Sequence, residues 1–91
     1  MLTPRQLVAA RGFLGWTREN LADEAGTSKD AVYAFEARGT SPRLETVQAW
    51  IHALHKAGVI LQDEDEHHGP GVRLRKGTEP SGRTKPRKGR R

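Results

Sequence analysis

Histidine and carboxylate are the side chains in this sequence that can bind a metal. His52 and His55 stand three apart, on one face of any helix that carries them, and His67-His68 follow the acidic run Asp63-Glu64-Asp65-Glu66. A metal site needs ligands held in fixed positions, and half of these candidates lie in a stretch without periodicity. Solvated histidines beside a charge run that discourages pairing at a strand edge are the preferred reading, so neither a metal nor a cofactor is expected. The sequence has no cysteine, which removes thiolate ligands, thiol nucleophiles and disulfides in one step and fits a reducing compartment. No carboxylate pair, Ser/His/Asp set or phosphate-cradling glycine loop stands in a supporting context, and no enzyme is expected. One further cluster is cationic: Arg83, Lys85, Arg87, Lys88, Arg90 and Arg91 can track phosphates or simply keep the chain solvated.

The scaffold that positions such groups must be small. The chain has 91 residues, room for one domain, and almost no apolar side chain falls in its last stretch, which leaves roughly 60 to 75 residues to make a core. A domain of that size buries only about 60% of the surface its unfolded chain exposes, too little for a deep catalytic cavity. The net charge of +5 is unevenly spread: residues 1–66 hold seven Lys or Arg against ten Asp or Glu, whereas residues 67–91 hold nine against one. The basic excess therefore lies wholly in the tail and says little about whether the folded part seeks phosphate. No leader-like apolar segment follows Met1 and no run approaches the roughly 20 apolar residues of a membrane span, so a cytoplasmic protein with no membrane partner is expected.

Local signals divide the chain into four helices. Thr3-Pro4-Arg5-Gln6 combines a hydroxyl cap, proline at the first helical position and Gln at the third, which predicts a helix from Pro4 to Leu14 with Leu7, Val8, Ala10 and Leu14 on its apolar stripe and Gly15 ending it. Thr17 caps a second, Arg18 to Ala25, with Leu21, Ala22 and Ala25 inward and Gly26 past its end. Ser28 caps a third, Lys29 to Arg38, burying Ala31, Val32 and Phe35 and stopping at Gly39. Ser41-Pro42 opens a fourth that runs to Lys56, with Leu44, Val47, Trp50 or Ile51, and Leu54 inward. After Gly58, Val59-Ile60-Leu61 and the alternating Val72-Arg73-Leu74-Arg75 predict a β-hairpin around a polar loop, Asp63 to Pro70. Such a hairpin is marginal alone and must pack on the helices or gain strands from a second subunit. From Gly77 the composition predicts disorder.

Two short helices joined by a turn of about three residues containing glycine form a helix-turn-helix arrangement. The stretch Trp16-Thr17-Arg18-Glu19-Asn20-Leu21-Ala22-Asp23-Glu24-Ala25-Gly26-Thr27-Ser28-Lys29-Asp30-Ala31-Val32-Tyr33-Ala34-Phe35-Glu36-Ala37-Arg38-Gly39 resembles the Cro/C1-type (XRE-type) helix-turn-helix family. The resemblance extends over residues 4 to about 57. It implies a mainly α fold, with a four- to five-helix Cro/C1-type domain over residues 1–58, to which the local signals add a short C-terminal β-hairpin over 59–76 and a disordered basic tail over 77–91. It also implies a structural ion pair between Arg11 and Glu36.

For function, the resemblance implies a bacterial transcriptional regulator whose third helix enters the major groove of duplex DNA, with Ser28, Lys29, Asp30, Tyr33 and Ala34 at the base-reading positions. Lys29 can donate to guanine and Asp30 can accept from cytosine, while Arg18, Lys29, Arg38 and Arg43, together with the tail, supply phosphate contacts. Four to six such contacts give a salt slope of roughly −4 to −5. Three features depart from the family pattern: Arg18 stands where an amide commonly opens the second helix, Asp30 places a carboxylate toward the groove, and Ala34 offers no hydrogen bond. The same face also suits a protein partner, since Tyr33, Ala34 and Ala37 make a small apolar patch rimmed by Lys29, Asp30 and Arg38. In this respect the chain is similar to small antiactivators of bacterial integrative and conjugative elements, which bind a transcriptional activator protein. A homodimer through the C-terminal strands would set two half-sites about one helical turn apart.

Overall fold

The computed structural model describes residues 2–80. Four helices and one hairpin follow in order: α1 (Pro4–Leu14), α2 (Arg18–Ala25), α3 (Lys29–Arg38), α4 (Leu44–Lys56), β1 (Val59–Gln62) and β2 (Gly71–Leu74). The first three helices begin and end where local chemistry dictates. Thr3 and Thr17 each accept the backbone N–H three residues on, and the side chains of Gln6 and Asn20 reach back to the cap N–H groups. Ser28 Oγ accepts the Ala31 N–H at 3.1 Å. Gly15, Gly26 and Gly39 close the three helices in the left-handed region, where a β-carbon would be strained.

The helices close on a core whose largest fully buried members are Trp50, Leu7, Leu14, Leu21 and Leu54, with Val32 and Val59. The Trp50 ring lies 5.5 Å from that of Phe35. Its Nε1–H donates to Thr27 Oγ1 at 2.9 Å, which ties the turn between α2 and α3 to the centre of α4.

Several inward assignments shift. Val8 is 44% exposed, because the buried line of α1 runs through Leu7, Ala10 and Leu14 and Val8 sits a further 100° around the helix. Ala25 and Ala31 are only partly buried at the edge of the core. The fourth helix starts at Leu44 rather than at Ser41-Pro42, since Arg43 is still extended (φ −66°, ψ 153°) and takes the cap position without a side-chain hydrogen bond. Residues 40–43 are used to cross from the end of α3 to α4. Leu44 then falls in the exposed first turn, 63% open, and the buried line consists of Val47, Trp50, Ala53 and Leu54, with Ile51 half-buried beside it.

The hairpin is antiparallel, pairing Val59 with Leu74 and Leu61 with Val72. Those four side chains share one face: Val59 is buried, and Leu61, Val72 and Leu74 pack against the core. Gln6, 3% exposed, seals the far end, its Nε2 donating to Gln62 O at 2.9 Å and Gly71 O at 3.0 Å. At the near end, the Arg75 N–H donates to Gly58 O at 2.8 Å, and the Thr78 N–H to Arg75 O. Gly77 and Thr78, assigned above to the tail, thus form a turn over Gly58, where a β-carbon would come within 2.4 Å of Thr78 Oγ1. The tail cations Arg83 to Arg91 lie outside the described residues.

Candidate functional site

Glu36, on the inner side of α3, has no exposed side-chain surface. Both of its oxygens are taken. Arg11 donates from Nε to Oε2 at 2.7 Å and from Nη2 to Oε1 at 2.7 Å, and Arg18 donates from Nε to Oε1 at 2.8 Å. Arg11 also donates from Nη1 to Trp16 O at 2.9 Å, so one guanidinium joins α1, the α1–α2 link and α3. Burial acts to raise the Glu36 pKa, but the hydrogen bonds and charges of Arg11 and Arg18 outweigh it and hold the carboxyl below its ordinary value.

This carboxylate braces α3 from behind and leaves its other side to solvent. Ser28, Lys29, Asp30, Tyr33, Ala37 and Arg38 are exposed and Ala34 is half-buried, while Val32 and Phe35 of the same helix are buried. The Ser28 hydroxyl is engaged as the helix cap. Tyr33, 46% exposed, stands between two guanidiniums, with Arg18 Cζ 4.9 Å and Arg38 Cζ 5.6 Å from its ring centroid. Arg18 is thus engaged inward by both Glu36 and Tyr33, an arrangement the spacing of these residues does not announce. Beside α3, Thr40, Ser41, Pro42 and Arg43 line an open groove of about 360 Å3 against Ala31 and Ala34, and Arg43 is exposed at its edge.

The arrangement of α2, the glycine turn and α3, with α1 and α4 behind them, matches a known pattern. A helix-turn-helix family model covers residues 9–58, more than half of the chain. The chain belongs to the helix-turn-helix family. No curated protein sequence matches it. The helix-turn-helix unit is of the Cro/C1 type and makes the chain a regulator of that class. The outward helix carries the expected contact positions Lys29, Asp30, Tyr33, Ala34 and Arg38, with Ser28 capping it and Arg18 and Arg43 flanking it from α2 and from the start of α4.

The histidines are arranged differently from a metal centre. Among the described residues no group of three or more His, Asp or Glu side chains converges. Asp65 Oδ1 instead accepts the N–H groups of His67 and His68, at 2.9 and 2.8 Å, and meets His68 Nδ1 at 3.1 Å, closing the loop on itself. Those two backbone donors, with the His68 ring, hold the Asp65 carboxyl below its usual value. His52 and His55 point to solvent on α4. No helix among the described residues is long and apolar enough to cross a membrane.

Proposed function

We propose that this helix-turn-helix protein is a bacterial transcriptional regulator that binds duplex DNA with α3 in the major groove. A single observation carries the reading: Ser28, Lys29, Asp30 and Tyr33 stand exposed on the first turns of a helix whose opposite side is anchored by Val32, Phe35 and Glu36. A rigid helix presenting its early side chains outward is what base readout requires. Lys29 reaches guanine and Asp30 cytosine, Ala34 and Tyr33 offer apolar contact, and Arg38 and Arg43 hold phosphates on either side. The test is binding to a duplex selected from a random pool compared with binding to random duplex. Lys29→Ala relaxes the preference at a cost of about 1 to 3 kcal/mol, whereas Arg43→Ala weakens all sequences alike. Equal losses on both duplexes would remove base readout.

A second reading draws on Tyr33. An aromatic ring held between two cations, with Asp30 on the same face, resembles the centre of a protein interface, and it supports an antiactivator that grips a transcriptional activator protein. Under that reading Tyr33→Ala abolishes capture of the activator while the fold survives, and undiminished capture rules it out. Self-association through the C-terminal strands belongs to the DNA reading. Since the apolar side of the hairpin is spent on its own core, the contact would use the open strand edges and Ile60, 40% exposed. Sedimentation at high concentration decides this, and a persistent monomer excludes it.

A further inference from the structure

Arg18 opens α2 next to the contact face, where a cation is naturally read as a phosphate anchor. The geometry points to a different role: Arg18 is a positioning residue that fixes the Tyr33 ring at the centre of the α3 face and makes no phosphate contact of its own. This rests on the reading that the outward side of α3 is the contact surface.

Two independent contacts hold Arg18 inward. Its Nε–H donates to Glu36 Oε1 at 2.8 Å, an acceptor on a side chain with no exposed surface. Its guanidinium carbon lies 4.9 Å from the Tyr33 centroid, within the range of cation–π attraction. A guanidinium is planar, so one group can donate along its edge to a carboxylate and offer its face to a ring. Its Nη groups keep donors of their own, but a phosphate drawn to them would compete with the carboxylate and the ring for the same guanidinium. The Arg18 side chain is 38% exposed, and Arg38 approaches the same ring at 5.6 Å. Tyr33 is thereby held between a cation tied to the buried carboxylate and an exposed one at the end of its own helix. Ordering the ring before contact lowers the entropy lost on binding, whether it meets a thymine methyl or an apolar side chain.

Lysine is the discriminating substitution, because it keeps the charge but lacks both the Nε–H and the flat face. Arg18→Lys and Arg18→Gln should fold, since Glu36 retains both bonds from Arg11, and the amide NMR spectrum checks this. In the full-length chain without ligand, the Arg18 side-chain protons should be displaced upfield by the Tyr33 ring and return to ordinary positions in Tyr33→Leu. Carbon relaxation of the Tyr33 ring should report greater motion in both Arg18 variants.

With random duplex DNA as the probe, Arg18→Gln should leave the salt slope unchanged, whereas Arg43→Gln should reduce it by about 0.9, the value of one phosphate. On a duplex selected for tight binding, Arg18→Lys should lose about fivefold in affinity, the size of an exposed cation–π contact. Wild-type Arg18 protons at ordinary shifts, or a slope lowered in Arg18→Gln and restored by Arg18→Lys, would overturn the assignment. If wild-type protein binds neither duplex, the DNA reading fails by itself, and the ring displacement and relaxation still decide whether Arg18 positions Tyr33.

Discussion

A single carboxylate with three charged donors joins the first three helices, so the position of α3 depends strongly on Glu36. Arg11→Ala removes two of those donors and leaves a buried charge facing Arg18 alone. Breaking a buried pair from one side costs roughly 3 to 5 kcal/mol, and with Arg18 still in place the loss should be about 3, read from the urea midpoint. The same carboxylate makes stability depend on acid. Its folded pKa lies below the ordinary 4.5, so its contribution is complete above the unfolded value and is lost as the pH falls through the folded one. Unfolding free energy should therefore decline below about pH 4.5 in wild type and less steeply in Glu36→Gln; parallel curves would show that other carboxylates govern the decline. The Arg11 and Glu36 positions were legible through the family resemblance. The inward turn of Arg18 was not, because its partners stand 18 and 15 positions along the chain and meet it only once α2 and α3 are docked.

At the level of elements, the hairpin depends on a residue whose role is double. Gln6 completes the capping box of α1 with its Oε1 and seals the end of the hairpin with its Nε2. Gln6→Ala withdraws the amide from two strand carbonyls, at about 1 kcal/mol for each hydrogen bond. Amide exchange in Val59–Gln62 and Gly71–Leu74 should accelerate more than exchange in α3; uniform acceleration would mean that the hairpin opens only with the whole fold. Thr27→Val should cost about 1 to 3 kcal/mol, since it strands the Trp50 indole N–H in the core, with a shift in Trp fluorescence as the readout. Sequence reading placed α1 to α3 close to their observed bounds because caps and left-handed glycines are local signals. It saw the capping half of Gln6 and missed the other half, which requires carbonyls 56 and 65 residues away. The start of α4 escaped for a related reason: Ser41-Pro42 has the chemistry of a helix opening, but the distance to be crossed after Gly39 overrides it. Val8 and Leu44 show the limit of periodicity, which gives a stripe its phase but not its width.

For the molecule as a whole, charge is unevenly divided along the chain. Residues 81–91 carry six cations and no acid, so the chain up to Pro80, with ten Lys or Arg against eleven Asp or Glu, has a net charge of −1 where the whole has +5. The exposed side of α3, the proposed sequence-reading surface, therefore stands on a near-neutral body, and bulk attraction to a polyanion would come from the segment beyond it. Sequence preference and overall affinity should then separate on truncation. A chain ending at Pro80 should keep its unfolding temperature and lose affinity for random duplex, with the salt slope reduced by about 0.9 for each tail cation that met a phosphate. Its preference for a selected duplex over a random one should rise, because the nonspecific background falls while Lys29, Asp30 and Tyr33 are untouched. An unchanged slope would assign the tail cations to solvation alone and leave Lys29, Arg38 and Arg43 to supply all the attraction the acidic body can muster.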